Sequence, residues 1–282
     1  KRQTQKSLCV MFYNKKIFEE NKVQVPSTYD EFLSVCDTLK SNGVTPMAMC
    51  GTDAWIPAQF VQQIAGGMAG DKLFQDICDG SEKWNNETHV KAAEEVKKMA
   101  DAGYFQDGYI GMGPEESTDL FTNGKSAMYF MGAWDADKIQ KSGIGEDAGA
   151  FVLPAYDAQY NNISVGSVDT SFAVSETCKN KDAAVAFLKF WTSQEMEEML
   201  LYENGRIPAD NFELDTSKLT PLMGEVLTIS NEQVGLTPWW DRQFGAGEGV
   251  EFNNTCVSVL GGEDAKAAFD GLQQFAEDNA DR

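Results

Sequence analysis

Three short clusters in this chain set a tryptophan close to a carboxylate: Asp53-Ala54-Trp55, Gly132-Ala133-Trp134-Asp135 and Trp239-Trp240-Asp241. An indole face can cover the apolar C–H face of a sugar ring, while a nearby carboxylate accepts hydrogen bonds from the hydroxyls. The same pairing can cage an organic cation such as a polyamine. Two carboxylates flanking a glycosidic bond could also hydrolyse it. Recognition is favoured over hydrolysis, because no longer catalytic loop accompanies the clusters. Trp134 is the leading candidate, followed by Trp55 and Asp53. Trp239, Trp240 and Asp241 form a third wall, from which one tryptophan is expected to turn inward, since adjacent residues of an extended segment face opposite sides. Arg242 can hold Asp241 or bind a hydroxyl. Asp135, Gln59, Asp169, Arg206, Glu115 and Glu116 complete the candidate set, chosen for loops expected near a cleft.

Other chemistry is poorly represented. His89 is the only histidine and sits in the polar stretch Asn85-Asn86-Glu87-Thr88-His89, where a solvated role is expected. That removes histidine-dependent triads and histidine-rich metal sites. No nucleophile elbow, phosphate-binding loop, dinucleotide fingerprint or calcium-loop spacing occurs, so no cofactor or metal is expected. The six cysteines, Cys9, Cys36, Cys50, Cys78, Cys178 and Cys256, form no C-x-x-C pair, and most are expected to pack as small hydrophobes. With 23 basic and 44 acidic residues the formal charge is −21, which repels nucleic acid and anionic lipid. The acids are scattered, as on a solubilising surface. No run of 18 apolar residues spans a membrane.

The elements that must position these clusters alternate between strand and helix across 282 residues, a length near that at which one core divides into two lobes. Leu8 to Tyr13 reads as an opening strand. Thr28 caps a helix, with Glu31 in capping-box position and Phe32, Val35, Cys36 and Leu39 as its apolar stripe. Pro46 to Cys50 reads as a buried strand that delivers Asp53-Ala54-Trp55, and a helix follows from about Pro57 to a stop at Gly66-Gly67. Ser126 to Met131 is an apolar strand delivering Trp134 at its exit, where open α/β sheets place ligands. Helices are expected over about 90–100, 116–121, 181–191, 193–203, 219–230 and 263–278.

The order of segments resembles the extracellular solute-binding proteins of family 1, the carbohydrate receptors of ABC importers. The match rests on four pieces: Tyr13-Asn14-Lys15 through Pro26-Ser27-Thr28-Tyr29-Asp30-Glu31-Phe32; Phe121-Thr122-Asn123-Gly124-Lys125 through Trp134; Asn180 through Phe190; and Asn204-Gly205-Arg206-Ile207-Pro208. The resemblance implies a periplasmic-binding-protein-like (type II) α/β fold of two lobes that close on a ligand. Residues 1–10 would be an interlobe crossing, 11–165 the C-terminal lobe, 168–212 a segment of the N-terminal lobe, and 217–282 the completion of the C-terminal lobe. The implied function is extracytoplasmic binding of a mono- or oligosaccharide, without catalysis, and its delivery to ABC permease subunits. Membrane contact would occur only through a lipid anchor outside this sequence. The first part of the N-terminal lobe has no counterpart here, so the helices near 181–203 are expected to show an uncovered apolar patch. A polyamine receptor, a glycoside hydrolase and a ligand-free interaction scaffold are the rival readings.

Overall fold

The computed structural model describes residues 2–210 and 212–279, apart from the side chains of 2–4, 169, 245 and 246. In chain order its first half contains β1 (Arg2–Asn14), α1 (Lys15–Glu20), α2 (Tyr29–Ser41), β2 (Thr45–Ala48), α3 (Trp55–Ala69), α4 (Lys72–Cys78), α5 (Glu87–Asp101), α6 (Pro114–Thr122) and β3 (Ser126–Gly132). The second half contains α7 (Ala136–Gln140), β4 (Ala148–Phe151), β5 (Ile163–Phe172), α8 (Lys181–Trp191), α9 (Gln194–Asn204), β6 (Ile207–Pro208), α10 (Pro221–Glu232), β7 (Gly235–Thr237), α11 (Trp240–Gln243), α12 (Val250–Leu260) and α13 (Ala265–Asn279).

Strand β1 is the spine of a mixed sheet ordered β2-β3-β1-β5-β7, with β4 and β6 also paired to β1. Its run Leu8-Cys9-Val10-Met11-Phe12 is at most 1% exposed, because both faces are covered and apolar residues occupy every position rather than alternate ones. The partners change along the strand. Residues up to Leu8 pair antiparallel with β5 and β6, and Cys9 onward with β3 and β4. At this change the backbones nearly touch: a Cβ on Gly166 would lie 2.5 Å from the Ser7 carbonyl oxygen and 2.9 Å from Leu8 Cα. Only glycine fits such an approach. The two outer pairs, β2 with β3 and β5 with β7, are parallel.

Local signals place the helices as read, with two adjustments. The Thr28 hydroxyl accepts from the Glu31 amide at 3.2 Å, but the Glu31 carboxylate reaches Ser27, at 2.7 Å to its amide and 2.6 Å to its hydroxyl, instead of closing the box on Thr28. Helix α3 does not stop at Gly66-Gly67; it runs to Ala69 and ends at Gly70, whose φ is +71°. The two glycines instead let neighbours approach, as the Gly67 carbonyl accepts from the Asp157 amide at 2.8 Å and a Cβ there would lie 3.1 Å from Tyr156 N. Cys9, Cys36, Cys50 and Cys256 are buried, whereas Cys78 is exposed and Cys178 partly exposed. Helix α8 has no buried residue, and its Val185, Phe187 and Phe190 are 42%, 53% and 54% exposed. An uncovered apolar face in this region is the expected one.

His89 corrects the sequence reading outright. It is fully buried, not solvated. Its ring stacks between Trp84 at 5.7 Å and Phe269 at 5.7 Å, with Trp240 edge-on at 4.4 Å, in a cluster that joins α5, α11, α12 and α13. The polar context was misleading because Asn86 caps α5 and takes the solvent side, while His89, three residues on, begins the stripe Ala92, Ala93, Val96 and Met99. Nδ1 donates to the Trp84 carbonyl at 2.8 Å. Burial drives the His89 pKa down to about 4, against a smaller upward pull from that carbonyl.

The unfolded chain therefore takes up a proton on His89 near pH 6.5, which the folded protein refuses until about pH 4. Stability falls as pH drops through that window, by about 3 kcal/mol from this group, and is fully regained above pH 6.5. Urea melts of wild type and His89→Phe should show the variant losing that much less over the same range. Parallel curves would assign the acid sensitivity to other groups.

Candidate functional site

The site is built over one cross-strand pair, Cys9 of β1 opposite Gly132 of β3. Gly132 ends β3, and the chain turns at once through the short helical turn Ala133–Asp135. That turn folds Trp134 back onto Gly132: a Cβ at 132 would lie within 2.3 Å of three atoms of the indole's six-membered ring. The absent side chain is the seat of the ring. On one side Trp55, the first residue of α3, brings its ring to 6.3 Å from Trp134 with an interplanar angle of 50°. On the other side Trp239, between β7 and α11, stands at 5.9 Å and 45°. Three indoles from three distant segments form one continuous, faceted row.

Trp55 and Trp134 are partly buried, while Trp239 is 6% exposed. The Cys9 thiol donates to Gln59 Oε1 at 3.2 Å, and the neighbouring Trp239 side chain pulls its pKa slightly down. Burial pushes the Cys9 thiol well above its ordinary value, which disfavours the thiolate. Cys9 is thus a support for the ring and not a nucleophile.

An aspartate lies within two residues of each of the three indoles in sequence. Asp135 accepts from the Tyr129 hydroxyl at 3.2 Å, and that hydroxyl also contacts Thr118 Oγ1 at 3.0 Å. Burial raises the Asp135 carboxyl above its ordinary value, partly opposed by the Tyr129 bond. It is a poorly hydrated acceptor, suited to hydroxyl donors. Asp53 lies two residues before Trp55, partly buried, with its carbonyl accepting from the Ile56 amide at 3.0 Å. Asp241 is partly buried and accepts from Asn253 Nδ2 at 3.1 Å.

Several residues singled out from the sequence do not join the row. Trp240 is a correction: it is 2% exposed and points away from Trp239 into the His89 cluster, 5.6 Å from Trp84 and 4.9 Å from Phe252. Gln59 is a second one, because it is 2% exposed beneath the row and holds Cys9 and Met131. Glu116 is exposed and caps α6 through the Gly113 amide at 3.0 Å, while exposed Glu115 pairs with Lys138 at 3.7 Å. Arg242 is exposed on α11. Arg206 is exposed just before β6, which pairs with Gln5 and Lys6 rather than with the Cys9 part of β1. The Asp169 side chain lies outside the described residues.

Cys9, Tyr129 and Gln62 are the supports that the sequence reading missed. A signal was available for Gln62, because Gln59, Gln62 and Gln63 interrupt an otherwise apolar helix in which every residue from Ile56 to Gly67 is buried. Polar side chains buried at that density must find partners. No group of three or more metal-ligating side chains occurs among the described residues.

The sequence profile of the family described as bacterial extracellular solute-binding protein matches residues 4–198. The multiple sugar-binding protein of Streptococcus mutans serotype c is 24% identical over 272 residues, covering 94% of this chain. This chain spans 63% of that relative's length. A solved chitin oligosaccharide binding protein superposes with a TM-score of 0.89 at 26% identity, over 98% of this chain and 70% of that one. A structure from work on xylan utilization by the thermophilic bacterium Caldanaerobius polysaccharolyticus gives a TM-score of 0.88 at 26% identity, over 96% and 71%. The row of indoles at the exit of β3 thus stands on a fold shared with saccharide binders, and the chain belongs to the bacterial extracellular solute-binding protein family.

Proposed function

We propose that this chain belongs to an extracytoplasmic receptor that binds a neutral oligosaccharide along the Trp55–Trp134–Trp239 row and delivers it to the permease of an ABC importer. The observation that carries the reading is the row itself, three indoles 6.3 and 5.9 Å apart, with Asp135 next in sequence to the central residue. Trp55 and Trp134 each offer a partly exposed apolar facet, with the buried Trp239 ring packed behind them, and successive facets suit successive sugar units better than a single one. The sugar-binding names of the relatives support the same ligand class.

In this reading residues 11–165 and 217–282 form one lobe and 168–212 belong to the other, with the crossing in β1. The change of β1 partners between Leu8 and Cys9 supports that division, as does the uncovered apolar face of α8. Closure would follow from saccharide contacts made only when both lobes engage, which shifts the population toward the closed state. Asp53 and Asp241 would accept hydroxyls at the two ends of the row, and Arg206 and Asp169 would lie on the facing lobe.

Thermal-shift assays of the full chain against xylo-, chito- and galacto-oligosaccharides and spermidine should give a rise with at least one saccharide, because a ligand of the native state stabilises by mass action. A rise with spermidine alone would overturn the saccharide reading. Trp134→Ala should weaken the responding saccharide about tenfold or more by calorimetry, since loss of stacking and apolar contact amounts to about 1.4 kcal/mol. Gly132→Ala should do the same without touching the ligand, by displacing the Trp134 ring from its seat. Unchanged affinity in both variants would remove Trp134 from the site.

A further inference from the structure

Trp239 stands in a segment with little ladder of its own. Strand β7 ends at Thr237 and α11 begins at Trp240, which leaves Pro238 and Trp239 between them. The Trp239 carbonyl is used by α11, accepting from Arg242 and Gln243 amides at 3.2 and 3.1 Å. The groups on either side of it are held by one buried side chain. Gln62 Nε2 donates to the Pro238 carbonyl at 2.7 Å, and Gln62 Oε1 accepts from the Trp240 amide at 3.4 Å. That amide is the first of α11, a donor with no partner inside its own helix. Gln62 is 2% exposed, so its amide is unavailable to water and is used at both ends on the backbone that brackets Trp239.

Helix α3 therefore does two things at once. Its first residue is Trp55, one end of the indole row, and its Gln62 grips the chain that carries Trp239, the other end. We propose that Gln62 is a positioning residue for the saccharide site: it sets the Trp239 ring against Trp134 from behind, without touching the ligand. The inference rests on the functional reading above for its binding arm only.

The neighbouring Gln63 supplies a matched control. It makes the same two-ended grip on β5, with Nε2 donating to the Ile163 carbonyl at 2.9 Å and Oε1 accepting from the Val165 amide at 2.8 Å, so that it reaches the Trp239 segment only indirectly, through the Val165–Thr237 pair of the β5–β7 ladder. Gln62→Met and Gln63→Met each keep the side-chain length and remove both hydrogen bonds, and both should lower the melting temperature. Only Gln62→Met should change the near-ultraviolet circular dichroism of the tryptophans, and that change should vanish when both spectra are taken in a Trp239→Phe background. In the full chain, titrated with xylotriose, chitotriose and raffinose, Gln62→Met should raise the dissociation constant of whichever binds by at least about tenfold relative to Gln63→Met. Wild-type spectra in Gln62→Met, or equal losses of affinity in the two variants, would overturn the proposal. If wild type binds none of the three sugars, the functional reading is the one that fails for them, and the spectra alone decide whether Gln62 holds Trp239.

Discussion

The antiparallel pairing of Cys9 with Gly132 is the contact on which the rest of this site depends. β1 must satisfy backbone groups along both edges over thirteen residues, and it does so by exchanging one set of partners for another just before Cys9. The pairing fixes where β3 ends. It therefore fixes where Trp134 turns back, and it sets the Cys9 thiol under Trp239. A two-residue slip of β3 on β1 would keep every side chain on its own face. It would nevertheless take the seat of one ring away from the support of another.

A second constraint is that buried polar atoms must be paired, and glutamine meets it here in a particular way. Gln62, Gln63 and Gln106 each use both ends of one amide on the main chain of another segment: residues 238 and 240, residues 163 and 165, and Met49. Each mimics a short piece of β-ladder where no strand runs. These links tie loops at the sheet's edge to helices and strands behind them, which is how irregular segments can carry rings at fixed angles. The cost of leaving such an amide half satisfied makes the geometry selective.

Much of the fold was legible because its signals are local. Thr28, Asn86 and Thr220 cap their helices through their own side chains, and the stripe Phe32, Val35, Cys36, Leu39 is buried as its spacing requires. The inward turn of one residue of Trp239-Trp240 was legible as alternation, although which one turned inward was not. That depended on the cluster around His89, assembled from α5 and, about 140 residues on, the three consecutive helices α11, α12 and α13. His89 itself misled because the residues around it cap and solvate a helix end, while the residue that matters faces the other way. Gly66-Gly67 misled for a related reason: glycine marks both a helix end and a close approach, and only the three-dimensional neighbour at Asp157 distinguishes them. The row of indoles was legible as three pieces, but its order and spacing came from strand register.

The seat of Trp134 has a consequence for the thermodynamics of anything that lands on the ring. Because the indole occupies the space of a missing side chain, its inner surface is dehydrated when the protein folds, and its torsions are restricted before any ligand arrives. Only the outer surface remains to lose water. Association at this ring should therefore carry a smaller heat-capacity change than the full area of an indole would suggest, and little loss of side-chain freedom. The glycine thereby moves part of the cost of recognition out of the binding step and into folding.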